Sequence, residues 1–244
     1  GIAALGFGTE SIPKVRKVVG PGSPAVTLAQ VEMQRHGLAT MMLLGPTESL
    51  VVADDTEHVG RLASDLLIEA EHGTDSSVVL VCTSRDIIDA VENELQIQIG
   101  DLPANRAEAC RASLGDNGGA ILVTSLTEAI DVANVYAPEH CQVAVSAQHE
   151  EMVVDGIINA GEILIGQHTP FSAGNFVIGV PASLPTSGFA HVSSGITVNA
   201  FLKHTAIAKA NETALRRMAP TVLALSDHEG FPAHGNAIRR RFPE

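Results

Sequence analysis

The sequence predicts an α/β protein built on a doubly wound, mostly parallel sheet and closed by a C-terminal helical tail. Three observations carry this. Between residues 46 and 165, short apolar runs of strand length alternate with amphipathic stretches of helix length. Such alternation requires a crossover helix between neighbouring strands, which makes the strands parallel and puts helices on both faces. Beyond residue 196 the strand-like runs stop and only helical periodicity remains.

Taken in order, Gly1-Ile2-Ala3-Ala4-Leu5 reads as the end of a helix already under way, as in a piece of a longer chain. A Gly/Pro turn at Gly20-Pro21-Gly22-Ser23-Pro24 leads into a helix over about 26–37, and Met41-Met42-Leu43-Leu44 reads as core. A strand is expected over 49–54. A helix over 58–72 follows, with Leu62, Leu66 and Leu67 on its apolar face and Gly73 as its left-handed stop. Strands over 77–82, 120–124, 141–145 and 162–165 are interleaved with helices over 84–95, 126–136 and 150–159. Residues 166–195 are rich in Gly, Pro and Ser and form a long ordered loop, a kind of segment that usually carries function. Helices are expected over 198–207, 212–225 and 233–241.

Composition narrows the function. With 45% apolar and 18% charged residues, a sizeable core is expected rather than disorder. A net charge of −13, no Trp and one Tyr argue against nucleic acid, which needs basic grooves and stacking platforms. No apolar run reaches transmembrane length and no signal peptide opens the chain, so a cytoplasmic protein that does not engage a membrane is expected. Cys82, Cys110 and Cys141 are odd in number and widely spaced, which suits reduced structural thiols.

Two acid–histidine couples point to chemistry. Glu69 and His72 are three apart in a helical stretch, so they share a face and can grip one ion. Glu139 and His140 follow Ala137-Pro138 in a loop, as expected of a pair aimed into a cleft. Read as plain structure, Glu69 would be a solvated helix residue, Asn175 a loop cap, and Glu139 and His140 a turn cap and a packed ring.

Several segments together resemble one family, the histidinol dehydrogenases. They are Gly8-Thr9-Glu10-Ser11-Ile12-Pro13-Lys14-Val15, Val19-Gly20-Pro21-Gly22, Gly45-Pro46-Thr47-Glu48 and Ala70-Glu71-His72-Gly73 with Asp75-Ser76. Ala137-Pro138-Glu139-His140, Leu184-Pro185-Thr186-Ser187-Gly188 and Glu229-Gly230 with Ala233-His234 continue the series in family order. The resemblance implies a domain-swapped homodimer that uses one metal, usually zinc, and two NAD molecules in succession to take a small amino alcohol to the acid. It implies that residues 1–45 are the remainder of an NAD-binding domain, 46–195 a metal-bearing catalytic domain, and 196–244 a swapped tail. It places metal ligands at Glu69, His72, Asn175 and the partner subunit's His234, with manganese as the other candidate ion. It makes His140 the acceptor of the alcohol proton and Glu139 the activator of water in the second oxidation. It assigns cofactor contacts to Pro21, Gly22 and Ser23, and substrate contacts to Thr47, Glu229 and His234.

The chain departs from the family in places. The family sets amide, imidazole, carboxylate and imidazole around the metal; Glu69, His72, Asn175 and His234 give carboxylate, imidazole, amide and imidazole, with the same summed charge. A substrate-contacting His of the family is Ala182 here, and a cofactor-contacting Asn is Ser23. His191 lies nine residues beyond Ala182, and nothing in the spacing brings it back. A metal- and NAD-dependent alcohol dehydrogenase with an altered substrate pocket is the expectation. A paralogue keeping the cavity without redox turnover, and a faithful histidinol enzyme tolerating Ala182, are its rivals.

Overall fold

The structure, a computed structural model, describes residues 1–40, 45–56 and 58–242. The apolar run Met41-Met42-Leu43-Leu44 lies outside the described residues. The chain forms two compact units, Gly1–Phe201 and Leu202–Glu244.

The first unit opens with α1 (Ile2–Phe7), β1 (Lys17–Val18), α2 (Pro24–Gln34) and β2 (Ala39–Thr40). There β1 and β2 pair in parallel. The main body follows as β3 (Glu48–Ala53), α3 (Val59–Ala70), β4 (Ser77–Cys82), α4 (Arg85–Gly100), α5 (Ala104–Gly115) and β5 (Gly119–Leu122). It continues with α6 (Leu126–Tyr136), β6 (His140–Ala144), α7 (Ala147–Gly156), β7 (Glu162–Ile165) and α8 (Phe171–Phe176). The five strands of the body run in the order β5-β4-β3-β6-β7, every pairing parallel, so the winding reverses between β3 and β6.

Why the apolar runs become central strands is visible in their burial. Leu50, Val51, Val52 and Ala53 are all buried, because both faces of the sheet are covered. Val51, Ala53, Val78, Leu80 and Leu164 pack under α3, α4 and α5 together with Leu62, Leu66, Val91 and Cys110. Leu50, Val52, Val81, Cys141 and Val143 turn to the other face, against Ala129 and Ala133 of α6 and Val153 of α7. The period of two in a strand distributes the residues between these layers. Cys82, Cys110 and Cys141 are buried free thiols, and burial pushes Cys141 up to about 12.

Several expectations need correction. Gly73 is not the stop of α3: the helix ends at Ala70 with Glu71 as its cap in right-handed geometry, and Gly73 is not among the glycines with positive φ. The helix expected to stop at residue 95 continues to Gly100, and α5 was not expected at all. The buried stripe of α5 includes Ala107 and Cys110, small side chains whose periodic signal is faint. Within the expected loop 166–195 lie α8 and a 3₁₀ turn at Phe189–His191. The helix expected over 198–207 shrinks to a 3₁₀ turn at Val198–Phe201.

In the second unit, α9 (Glu212–Glu229) and α10 (Pro232–Arg239) form a helical hairpin. Asn211 caps α9 by accepting from the Ala214 N–H at 2.8 Å, and Gly230 ends it in left-handed geometry, φ 71°. The buried Ser226 hydroxyl donates to Phe231 O at 2.8 Å and accepts from Gly235 N at 2.9 Å, pinning the turn.

Two glycine substitutions test this packing. A Cβ on Gly161 would lie 2.5 Å from Glu139 O and 3.2 Å from Leu184 Cβ, between the starts of β6 and β7. Gly161→Ala is expected to lower unfolding free energy by about 2 kcal/mol in urea titration. A Cβ on Gly100 meets nothing, so Gly100→Ala should stabilise by about 0.5–1 kcal/mol.

Candidate active site at the N-terminal edge of the sheet

The site is assembled where strands begin. Ala137 ends α6 in left-handed geometry, φ 52°, with its N–H on Ala133 O at 2.8 Å. Pro138 then forces an extended path that delivers Glu139 and His140 to β6. His140 is therefore the first residue of a strand rather than part of a loop. It stands in register with Ser49 of β3 and Glu162 of β7, and the three share the sheet face that carries Val51 and Leu164. From above, α3 lowers Glu69 onto this face, and His72 sits just past the helix end in the closing turn. Asn175 comes from α8, and Phe171 of the same helix meets the His140 ring edge-on, centroids 5.8 Å apart.

Two motifs read separately in sequence hold each other. The Gly45 N–H donates to Thr186 Oγ1, and Glu48 Oε2 accepts the Ser187 N–H at 2.9 Å. Ser187 and Gly188 take positive φ, 57° and 74°, so this turn needs outside support and Glu48 supplies it.

Glu69 is the most constrained group: its side chain is 0% exposed. Its Oε1 accepts from Asn175 Nδ2 at 2.7 Å. Its Oε2 has no hydrogen-bond partner, yet lies 3.4 Å from His72 Nδ1 and 3.9 Å from His140 Nε2. His72, 48% exposed, also meets Thr47 Oγ1 through Nδ1 at 3.2 Å. His140, 5% exposed, is hydrogen-bonded through Nδ1 to Glu162 Oε1, with Nε2 3.7 Å from Glu139 Oε1. Among the described residues, the buried side-chain atoms without a partner are Ser49 Oγ, Glu69 Oε2, Gln142 Oε1 and Glu162 Oε2. All belong to this face or to the helix over it.

Charge here is unusually crowded. Burial drives the Glu139 carboxyl up to about 7, against the pull of His140 and the Glu48 N–H. Burial alone would lower His140; the Glu162 hydrogen bond and the Glu69 and Glu139 carboxylates outweigh it, so its affinity for a proton rises. Glu48 is also raised by burial, the Ser187 N–H opposing. Carboxylates outnumber imidazoles, which leaves the pocket short of positive charge.

A cavity of about 320 Å³ opens on these groups. Pro21, Gly22, Thr47, His72, Glu139, His140, Asn175 and Ala182 all line it. Glu69 lies behind it, fully buried, not the solvated residue of the plain reading. Asn175 is a helical residue bonded to Glu69, not a loop cap. Ser23 precedes α2 without making a capping bond and is not part of the lining. Glu229 and His234 belong to the second unit, at the end of α9 and in α10, both exposed. His191 is exposed on its 3₁₀ turn and absent from the lining. Sequence reading missed Glu162, Glu48 and Phe171. A hint for the first was an acid opening an otherwise apolar strand, Glu162-Ile163-Leu164-Ile165.

The donor chemistry bears on a metal ion. Two donors bound to one tetrahedral zinc at about 2.0–2.1 Å sit about 3.3 Å apart, and Glu69 Oε2 and His72 Nδ1 are 3.4 Å apart. An unpartnered buried carboxylate oxygen beside an imidazole nitrogen fits a shared cation. Among the described residues no three His, Cys, Asp or Glu side chains are grouped to hold an ion.

The family model described as histidinol dehydrogenase matches residues 1–242. The chain is 38% identical over 242 residues to histidinol dehydrogenase of Methanosarcina mazei, covering 99% of this chain and 54% of that protein. It is 42% identical over 241 residues to that of Synechocystis sp., covering 98% and 55%. The crystal structure of histidinol dehydrogenase from Elizabethkingia anophelis superposes with a TM-score of 0.92 at 34% identity, covering 97% of this chain and 54% of that one. The chain thus spans about half the length of the curated relatives it matches, and it belongs to the histidinol dehydrogenase family.

Proposed function

We propose that this chain carries the metal-binding and proton-handling part of an NAD-dependent oxidation of a small polar alcohol related to L-histidinol, through the aldehyde to the acid. The observation that carries the reading is the buried, unpartnered Glu69 oxygen beside His72 Nδ1, on the same cavity as Glu139 and His140. A zinc or manganese ion held by Glu69, His72, Asn175 and the partner subunit's His234 would act as Lewis acid on the alcohol oxygen. NAD, against Pro21, Gly22 and Ser23, would accept the hydride.

The remaining work falls to the chain's own residues. His140 Nε2 takes the alcohol proton as hydride departs. Glu139 then takes a proton from the water that attacks the aldehyde carbon; a second NAD would supply the acceptor for the second hydride. A carboxyl at about 7 is balanced between the two forms near neutrality, as a base that must also release its proton requires. Thr47 would orient the substrate, and Glu229 would reach across to the substrate's amino group in the partner's site. A homodimer follows from the need for a fourth ligand. Buried free thiols suit a reducing cytoplasm, and no helix among the described residues is long and apolar enough to cross a membrane. Ala182 puts a methyl group on the cavity wall where the resembled family has an imidazole, and that favours a substrate other than histidinol.

One observation favours a second reading, a paralogue without turnover: among the described residues no three His, Cys, Asp or Glu side chains are grouped to hold a metal. Metal analysis with solution mass decides. About one zinc per chain in a dimer, lost in Glu69→Ala, is expected; a metal-free monomer that makes no NADH with added zinc and alcohol would remove the catalytic reading.

Glu139 supplies a pH test. Its folded pKa, about 7, lies above the ordinary 4.5, so the fold favours the protonated form. The associated stability is full below about pH 4.5 and is lost as pH rises through 7. At about 1.4 kcal/mol per pH unit the loss is on the order of 3 kcal/mol. Glu139→Gln should flatten this slope in urea titrations at about pH 5 and about pH 8. The same variant should retain alcohol oxidation better than aldehyde oxidation in stopped-flow NADH traces.

A further inference from the structure

We infer that Glu162 is a positioning residue that fixes the ring and tautomer of His140, keeping Nε2 bare on the side of Glu139 and Glu69. The inference concerns a residue that the sequence motifs do not include. Glu162 opens β7, and its side chain is 4% exposed. A carboxylate is kept out of water only where a partner offsets its desolvation. The bond from Glu162 Oε1 runs to His140 Nδ1 across one step of the sheet register.

A carboxylate accepts hydrogen bonds and donates none, so the proton between the two lies on Nδ1. In the neutral ring Nε2 then carries the lone pair, 3.7 Å from Glu139 Oε1 and 3.9 Å from Glu69 Oε2. The surroundings leave the ring little freedom to turn over. Phe171 closes one side edge-on at an interplanar angle of 68°. Gly174 on α8 makes the room: a Cβ there would lie 3.4 Å from both Glu162 oxygens and 2.9 Å from Leu164 Cδ1. A Cβ there would press on Leu164 and pack against the carboxylate. The acid, the glycine and the phenyl ring come from two successive elements, β7 and α8, and converge on one imidazole.

The role of Nε2 as proton acceptor rests on the function proposed above; the tautomer does not. The test therefore reads the tautomer directly, by two-bond ¹H–¹⁵N correlation on the ¹⁵N-histidine-labelled 244-residue chain, raising pH from about 8 to about 10.5 until the His140 shifts stop changing and the ring is neutral. The His140 signals are assigned by their loss in His140→Asn. A single Nδ1–H form is expected in the unsubstituted chain. Glu162→Gln, whose amide oxygen can still accept, should keep it; Glu162→Ala should shift the ring to the Nε2–H form or a mixture. Thermal unfolding of each variant separates this from loss of fold. Where alcohol-dependent NADH is formed, Glu162→Ala should lower kcat by about 10- to 100-fold with KM little changed, and Glu162→Gln should recover much of it. An Nε2–H ring in the unsubstituted chain, or a tautomer indifferent to Glu162→Ala in a folded protein, would overturn the inference. Absence of turnover with the Nδ1–H form intact would instead remove the functional reading and leave the positioning role standing.

Discussion

Glu69 is held wholly out of water with one carboxylate oxygen unmatched by any hydrogen bond, and the elements around it are arranged to make that tolerable. An ionised carboxylate in a low-dielectric interior is costly unless positive charge or donors surround it. The close of α3 supplies His72, the start of β6 supplies His140, and α8 supplies Asn175. Each lies where a different part of the chain meets the same strand edge. The compensation is incomplete, since Glu48, Glu139 and Glu162 crowd the same region. A pocket left with surplus negative charge is prepared for a cation, whether a metal ion or the ammonium group of a substrate.

Much of the scaffold was legible in sequence because it follows from local rules. The runs at 77–82 and 162–165 were found with their true ends, since buried parallel strands are apolar throughout and bounded by turn residues. What escaped depends on small side chains or on distant partners. The stripe of α5 is partly Ala and Cys and carries little contrast. The stretch after Phe201 had helical periodicity, but a short apolar periodic run is not held helical without a surface to pack on. Of the residues that line the cavity, Glu139, His140 and His72 lie in motifs read from the sequence, and Asn175 was reached only through the resemblance. Glu162 was reached by neither: its meaning lies in sheet register with a residue on another strand, which no local pattern records.

Positions 69 and 175, where the resemblance implies that carboxylate and amide have traded places, are in direct contact. The two side chains touch, Asn175 Nδ2 to Glu69 Oε1 at 2.7 Å. Moving the charge from one to the other shifts it by a single hydrogen bond instead of across the pocket. The neutral partner is still able to donate to the charged one. Ala182 is a different kind of departure: the imidazoles that line the cavity, His72 and His140, each already face an acid.

The placement of this chemistry at the starts of β3, β6 and β7, rather than beyond their carboxyl ends where open α/β sheets usually receive ligands, shapes how such a protein could change over time. Groups that act from strand ends belong to the frame itself. His140 and Glu162 are rungs of the ladder as well as parts of the site, so altering them disturbs packing and reactivity together. The stretch around Phe176, Ala182 and Ser183 borders the same space without belonging to the sheet. Selection for a new substrate has its freedom there, and a family of this design should diversify in what it accepts long before it diversifies in how it reacts.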